Sequence, residues 1–254
     1  MNKKAQELNL TNTHFVTPHG LDNSEHYTTA YELALLTDYA LQNSKFAEIV
    51  NTKTYTITIN GHPKIINNTN ELLGYLNGVN GVKTGFTNNA GRCLVTSTTR
   101  NNWQIISVVL GADTKKIRTK DSINLIEYSF NNFELVNIKN IIEEKYAKWK
   151  TQNEGIIKIN KGVEEHIQTS LEDIPYELYP INKNQVKDIE CVIDNVNYIQ
   201  APVLEGDIIG ELCLKIGNKT ICSLAIKCSR TVEKKNVWDY FSMLMYNAGT
   251  YLVN

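Results

Sequence analysis

The feature that most constrains this chain is a stretch of strict alternation that runs into an almost unbroken apolar segment. Cys93, Val95 and Ser97 alternate with Leu94, Thr96 and Thr98, a polar Arg100-Asn101-Asn102 turn follows, and Ile105-Ile106-Ser107-Val108-Val109-Leu110 is nearly all apolar. The second run reads as a central strand covered on both faces. With Gly81 to Thr87 ahead of it, the segment predicts an antiparallel meander. A sheet of this kind needs covering layers, and helical periods lie on both sides of it. Apolar Ala30, Leu33, Ala34, Leu36, Tyr39 and Ala40 mark a helix over 29–43, while Ile117, Ile123, Leu125, Ile126 and Phe130 mark one over 114–130 whose apolar face lies on the sheet.

Residues 2–9 read as a short helical segment, and a loop with Pro18, Gly20 and two of the histidines joins it to the 29–43 helix. Residues 54–59 alternate as Thr-Tyr-Thr-Ile-Thr-Ile and end at Asn60-Gly61, a pair suited to the positive φ angles of a tight hairpin turn. The texture changes near 136. A Lys/Glu-rich stretch, 137–154, fits either helix or extended chain and is taken as a connector. Beyond it, short strands over 155–160, 163–168, 186–193, 207–216 and 219–226 are separated by Lys161-Gly162, Glu205-Gly206 and Gly217-Asn218. The expected organisation is a first domain over 1–136, the connector 137–154, a small β-sandwich-like domain over 155–230 and an amphipathic helix over 231–254. In that helix Val237, Phe241, Leu244, Met245 and Ala248 form a stripe flanked by Trp238, Tyr240 and Tyr246.

With 26 basic against 27 acidic residues and no basic stripe, nucleic acid is not an expected partner. No apolar run reaches about 18 residues, and Met1 to Glu7 carries lysines without an apolar stretch after them, so neither a transmembrane helix nor a signal peptide is expected in this chain. The five cysteines include no C-x-x-C pair and are expected to be buried free thiols. His14, His19 and His26 are close in sequence, yet no carboxylate at ligand spacing completes a set, so no metal or other cofactor is expected. His62 and His166 read as turn or strand residues, and Glu164-Glu165 beside His166 as a solvated strand end.

Lys83-Thr84-Gly85 is the segment best suited to chemistry. A lysine on a strand, then a hydroxyl, then a glycine that permits close approach, can bind a carboxylate and polarise an acyl group. On pattern alone a solvated edge-strand lysine remains the alternative.

The surrounding blocks narrow the choice. Thr13-His14-Phe15, Pro18-His19-Gly20-Leu21-Asp22, His26-Tyr27-Thr28-Thr29-Ala30, Gly81-Val82-Lys83-Thr84-Gly85-Phe86-Thr87, Ala90-Gly91-Arg92-Cys93-Leu94-Val95 and Ile106-Ser107-Val108-Val109-Leu110-Gly111-Ala112 occur in order. This run resembles the low-molecular-weight penicillin-binding proteins that are serine-type D-alanyl-D-alanine carboxypeptidases. Ala201-Pro202-Val203 with Gly206 and Gly210-Glu211-Leu212 resembles the β domain that follows their catalytic domain, and 232–252 resembles their C-terminal membrane-surface helix. The resemblance implies an α+β fold: part of a penicillin-binding, transpeptidase-like domain with an antiparallel sheet and covering helices, then a small all-β domain and the amphipathic helix. It places the three clustered histidines in a structural loop.

The resemblance also implies roles. Lys83 would balance negative charge in the cleft, and the Thr84 hydroxyl would meet the terminal carboxylate of a D-Ala-D-Ala stem peptide. Gly85 completes the motif, the Phe86 N–H would form half of an oxyanion hole, and Arg118 would help hold the carboxylate. Peptidoglycan stem peptides and β-lactams are the implied partners, at the extracytoplasmic face of the cell membrane. The sequence departs from the family in one respect: no serine is followed three residues later by lysine. Ser122-Ile123-Asn124 and Ser129-Phe130-Asn131 match S-x-N only inside an expected helix, and Tyr75-Leu76-Asn77 lies too near Lys83 to serve as the second motif. The chain is therefore expected to correspond to the C-terminal part of the enzyme, to leave the 82–110 strands and the 29–43 and 114–130 helices partly uncovered, and to be inactive alone. Three readings follow: a carboxypeptidase whose N-terminal part is missing or supplied by a complementing fragment, a non-catalytic binder of peptidoglycan stems, or a membrane-surface scaffold.

Overall fold

The computed structural model describes residues 1–153 and 156–251. They form two compact units, 1–132 and 133–254. Glu154 of the expected connector, Gly155 of the expected first strand and residues 252–254 of the expected terminal helix lie outside the described residues, as does the side chain of Ala248.

The first unit runs α1 (Asn2–Glu7), α2 (Ala30–Leu41), α3 (Ser44–Asn51), β1 (Thr54–Ile59), β2 (His62–Asn67), β3 (Val79–Thr87), β4 (Gly91–Arg100), β5 (Trp103–Ala112) and α4 (Lys115–Asn132). The helix expected over 29–43 is cut at both ends by side-chain caps. Thr29 accepts from the Glu32 N–H at 3.2 Å and starts α2. The Asn43 side chain accepts from Lys45 and Phe46 N–H groups and starts α3, a helix beyond those expected from the sequence. Glu32, in the first turn of α2, fastens the preceding loop: its carboxylate accepts from the Asn12 backbone and side chain and from the Thr13 hydroxyl.

The β1–β2 hairpin pairs Ile59 with His62 across Asn60-Gly61, whose φ angles of 50° and 81° are those the turn requires. The second sheet has the order β3-β4-β5 and is antiparallel throughout. This corrects the expectation that the apolar run 105–110 is the covered central strand. β4 is central, and Thr96, Ser97 and Thr98 are fully buried, whereas β5 lies at the edge with Leu110 exposed. The Thr96 and Thr98 hydroxyls are buried there without a hydrogen-bond partner, so strand position here follows pairing rather than hydrophobicity. Gly78 allows the turn into β3: at φ +83° a Cβ would lie 2.4 Å from the Thr99 carbonyl oxygen.

Helix α4 also departs from expectation. Its buried line is Arg118, Ser122 and Ile126, spaced by one turn, while Ile117 and Leu125 are exposed. Leu72, Leu73, Val79, Leu94 and Ile126 form one core, and Val50, Val82 and Val95 a second under α3. Tyr31, Leu35 and Tyr39 on α2 are solvent-facing.

The second unit contains β6 (Phe133–Asn137), α5 (Ile138–Asn153), β7 (Lys158–Asn160), β8 (Thr169–Leu171), β9 (Leu178–Asn182), a 3₁₀ turn (Lys183–Asp188), β10 (Ile189–Asn195), β11 (Tyr198–Gln200), β12 (Ile208–Ile216), β13 (Lys219–Cys228) and α6 (Val237–Tyr251). The supposed connector is part of this unit. Residues 133–137 pair with β9, and Ile138, Ile142 and Trp149 of α5 enter the same core as Leu212, Leu214, Leu224 and Ile226. An i, i+4, i+11 line is enough to seat a helix whose other faces are charged. The main sheet has the order β10-β12-β13-β8, with β10 alternating so that Ile189, Cys191 and Ile193 face inward. The expected strand over 163–168 is irregular, and β7 pairs with β11 in parallel. All five cysteines are free, but only Cys228 is buried; the other four are half-buried, a correction to the buried reading.

Candidate functional site

Lys83, Thr84, Gly85 and Phe86 lie in succession on β3, an edge strand of the described sheet. Alternation places Lys83 and Gly85 on one face and Thr84 and Phe86 on the other. The Lys83 side chain is exposed and its ammonium donates to the Thr84 carbonyl at 2.7 Å. Among the described residues no carboxylate lies within ion-pair reach of it, so its charge is available to an anion. A Cβ at Gly85 would meet only the Cβ of Cys93, at 3.6 Å. Among the described residues no backbone lies within 4 Å of that position. The Phe86 ring is exposed and carries the Arg92 guanidinium 3.5 Å from its centroid.

The Thr84 hydroxyl is 2.7 Å from the hydroxyl of Thr69. Thr69 belongs to the segment between β2 and β3. Its neighbours anchor it firmly. The Asn68 amide donates to the Val50 and Thr52 carbonyls, and the buried Asn70 side chain donates to the Gly81 carbonyl at 2.7 Å while accepting from the Leu72 N–H. Two residues beyond Thr69, Glu71 reaches Arg118.

Arg118 sits in the first turn of α4 and is 3% exposed. Its Nη2 is 3.6 Å from Glu71 Oε2, too far for a hydrogen bond. Nε and Nη2 are both buried without a hydrogen-bond partner. The Thr119 hydroxyl donates to the same Glu71 oxygen at 3.1 Å. A desolvated guanidinium with two unsatisfied donor nitrogens is stabilised by any anion that reaches it. The segment 69–71 thus touches both Thr84 and Arg118, two residues the sequence reading had placed at one site from resemblance. Thr69 and Glu71 were missed because nothing in their spacing marks them; the contact arises only when the segment folds between β3 and α4.

The other candidates have structural occupations. Ser122 donates to the Arg118 carbonyl and Ser129 to the Leu125 carbonyl within α4. The Asn77 carbonyl accepts from Arg100 Nε, and Arg100 also clamps Glu127 with two hydrogen bonds, which hold that carboxyl below its ordinary range. His14 lies in a bridge with Tyr27, and its Nδ1 contacts the Glu25 carbonyl.

An antiparallel sheet flanked by helices, with a Lys-Thr-Gly edge strand and a buried arginine on the helix that follows the last strand, defines the penicillin-binding, transpeptidase-like class of fold. The chain matches the crystal structure of penicillin-binding protein 5 from Haemophilus influenzae with a TM-score of 0.67 at 27% identity, over 92% of this chain and 64% of that one. Residues 1–114 match the family D-alanyl-D-alanine carboxypeptidase. The chain is 28% identical to D-alanyl-D-alanine carboxypeptidase DacF of Bacillus subtilis, over 96% of this chain and 61% of that protein. It is 30% identical to D-alanyl-D-alanine carboxypeptidase DacA of Haemophilus influenzae, over 94% of this chain and 59% of that protein. Along nearly its whole length the chain is thus similar to D-alanyl-D-alanine carboxypeptidases and to a penicillin-binding protein. It spans about three fifths of the length of these curated relatives.

Proposed function

We propose that this chain supplies the carboxylate-binding wall of a D-alanyl-D-alanine carboxypeptidase acting on peptidoglycan stem peptides. The observation that carries the reading is a set suited to an anion: the Lys83 ammonium, which has no carboxylate partner among the described residues and donates only to the Thr84 carbonyl, the Thr84 hydroxyl, and the buried Arg118 with two unsatisfied donor nitrogens. Lys83 and Arg118 set a positive potential where a terminal carboxylate would sit, and Thr84 adds a directed hydrogen bond. The Phe86 N–H would polarise the scissile carbonyl. The 254 residues hold no Ser-x-x-Lys, so the acylating serine and its lysine would come from another segment of polypeptide. With that segment in place, the serine Oγ attacks the penultimate D-Ala carbonyl, the amide C–N bond breaks, the terminal D-Ala leaves with the transferred proton, and water then cleaves the acyl ester. A β-lactam would be trapped at the ester.

We also place α6 at a membrane surface, on the extracytoplasmic side where the family's substrate is found. Among the described residues no helix is long and apolar enough to cross a membrane. Trp238, Phe241, Leu244, Met245 and Tyr246 are all solvent-facing on α6, more apolar surface than a small domain leaves uncovered without a partner.

The test has two arms. The chain by itself, incubated with a labelled β-lactam, should form no covalent adduct, with an intact relative as positive control. In calorimetric titration it should bind a peptide ending in D-Ala-D-Ala more tightly than the same peptide as C-terminal amide, and Lys83→Ala should abolish the preference. An adduct on this chain, or equal binding of acid and amide, would overturn the reading.

A further inference from the structure

We propose that Glu71 is an internal counter-anion that occupies the charge of Arg118 without using its hydrogen bonds, and so sets how strongly the site takes a carboxylate. The proposal rests on the reading of Lys83, Thr84 and Arg118 as the carboxylate-binding set.

Burying a guanidinium is costly. Arg118 is 3% exposed, and a buried cation with no partner is strongly destabilising. Glu71 is the carboxylate that stands against it. Yet Glu71 is itself 49% exposed, and its Oε2 stops 3.6 Å from Nη2, where Coulomb attraction acts but no hydrogen bond forms. The Thr119 hydroxyl, one residue along α4 from Arg118, donates to that same oxygen and holds it off. Nε and Nη2 therefore stay buried without a hydrogen-bond partner. A planar guanidinium with unsatisfied donors favours a carboxylate that pairs with it edge-on once the Glu71 side chain gives way.

The neighbouring contact gives the device its direction. Thr69, on the same anchored segment, sets its hydroxyl against that of Thr84. When Thr69 donates, the Thr84 proton is free to point at the ligand carboxylate. A ligand carboxylate entering between Thr84 and Arg118 meets Glu71 as a like charge and competes with it for the guanidinium. Glu71 thus stabilises the empty site and weakens the filled one. Bulk anions that offer a single point charge gain little there, while a peptide held also by Thr84 and Lys83 can displace the ion pair.

The two effects have opposite signs, which separates this role from a merely structural one. In the full chain, Glu71→Gln should lower the melting temperature without ligand, because Arg118 loses its counter-charge. The same substitution should raise affinity for the D-Ala-D-Ala peptide about fivefold, enlarge the ligand-induced rise in melting temperature, and leave binding of the C-terminal amide unchanged. Thr119→Val, which frees Glu71 to close on Arg118, should weaken peptide binding without loss of the fold and serves if Glu71→Gln does not fold. If wild type prefers acid over amide but neither substitution changes that preference, the counter-anion role fails while the site reading stands. If wild type shows no preference, the site reading fails first, and with it this proposal. Weaker acid binding in Glu71→Gln would overturn the proposal outright.

Discussion

Replacing Ile142 by alanine tests whether the charged stretch 138–153 is built into the second unit or merely adjoins it. Ile142 is fully buried, in one cluster with Ile138, Trp149, Leu212, Leu214 and Ile226. The substitution removes about three carbons from a closed core. At roughly 0.8 kcal/mol each for transfer, with a further contribution from the cavity left behind, the loss is about 3 kcal/mol. For a unit of this size that lowers the melting temperature by about 10 °C. Trp149 is a built-in reporter: it stacks on Tyr146 at 5.8 Å and donates from Nε1 to Asn195 Oδ1 at 3.1 Å. Its fluorescence can be isolated with Trp103→Phe and Trp238→Phe in the background, and urea unfolding followed through it. The exposed neighbour Glu144→Ala should shift the midpoint by less than about 0.5 kcal/mol. Equal effects of Ile142→Ala and Glu144→Ala would refute the assignment of α5 to this core, as would a Trp149 signal that changes before the unit unfolds.

Removing the α2 cap with Thr29→Ala should cost about 1 kcal/mol in chemical denaturation, and Thr29→Ser should recover most of it. Burial pushes the Glu32 carboxyl up, but the hydrogen bonds from Thr13 and Asn12 outweigh this and leave it below its ordinary value of 4.5. Its contribution is therefore complete above 4.5 and lost as pH falls through the depressed folded value, so Glu32→Gln should flatten the acid limb of a stability-against-pH curve. An unchanged limb would count against that network. Burial pushes the Cys191 thiol up from 9.0 to about 11; alkylation at pH 8, followed by mass spectrometry, should be about a hundredfold slower at Cys191 in the folded chain than in urea.

What the sequence determined by itself is what is local. Asn60-Gly61 requires two positive φ angles and therefore a two-residue hairpin, and the flanking alternation sets its register. Lys83-Thr84-Gly85 occupies consecutive strand positions whatever lies beside it, and Thr29 and Asn43 carry caps in their own side chains. What tertiary structure decided is what depends on distant partners. The apolar β5 became an edge and the hydroxyl-rich β4 the centre of the described sheet, because position in a sheet is set by which strands pair and not by the hydrophobicity of any one of them. The stretch 138–153 became a core helix because Ile138, Ile142 and Trp149 found the inner face of the β10-β12-β13-β8 sheet, a contact its polar majority concealed. Thr69 and Glu71 joined the site for the same reason. Neither forms a motif, and the Coulomb and hydrogen-bond terms that give them meaning act over a few ångströms, a separation from Thr84 and Arg118 that only the folded chain creates.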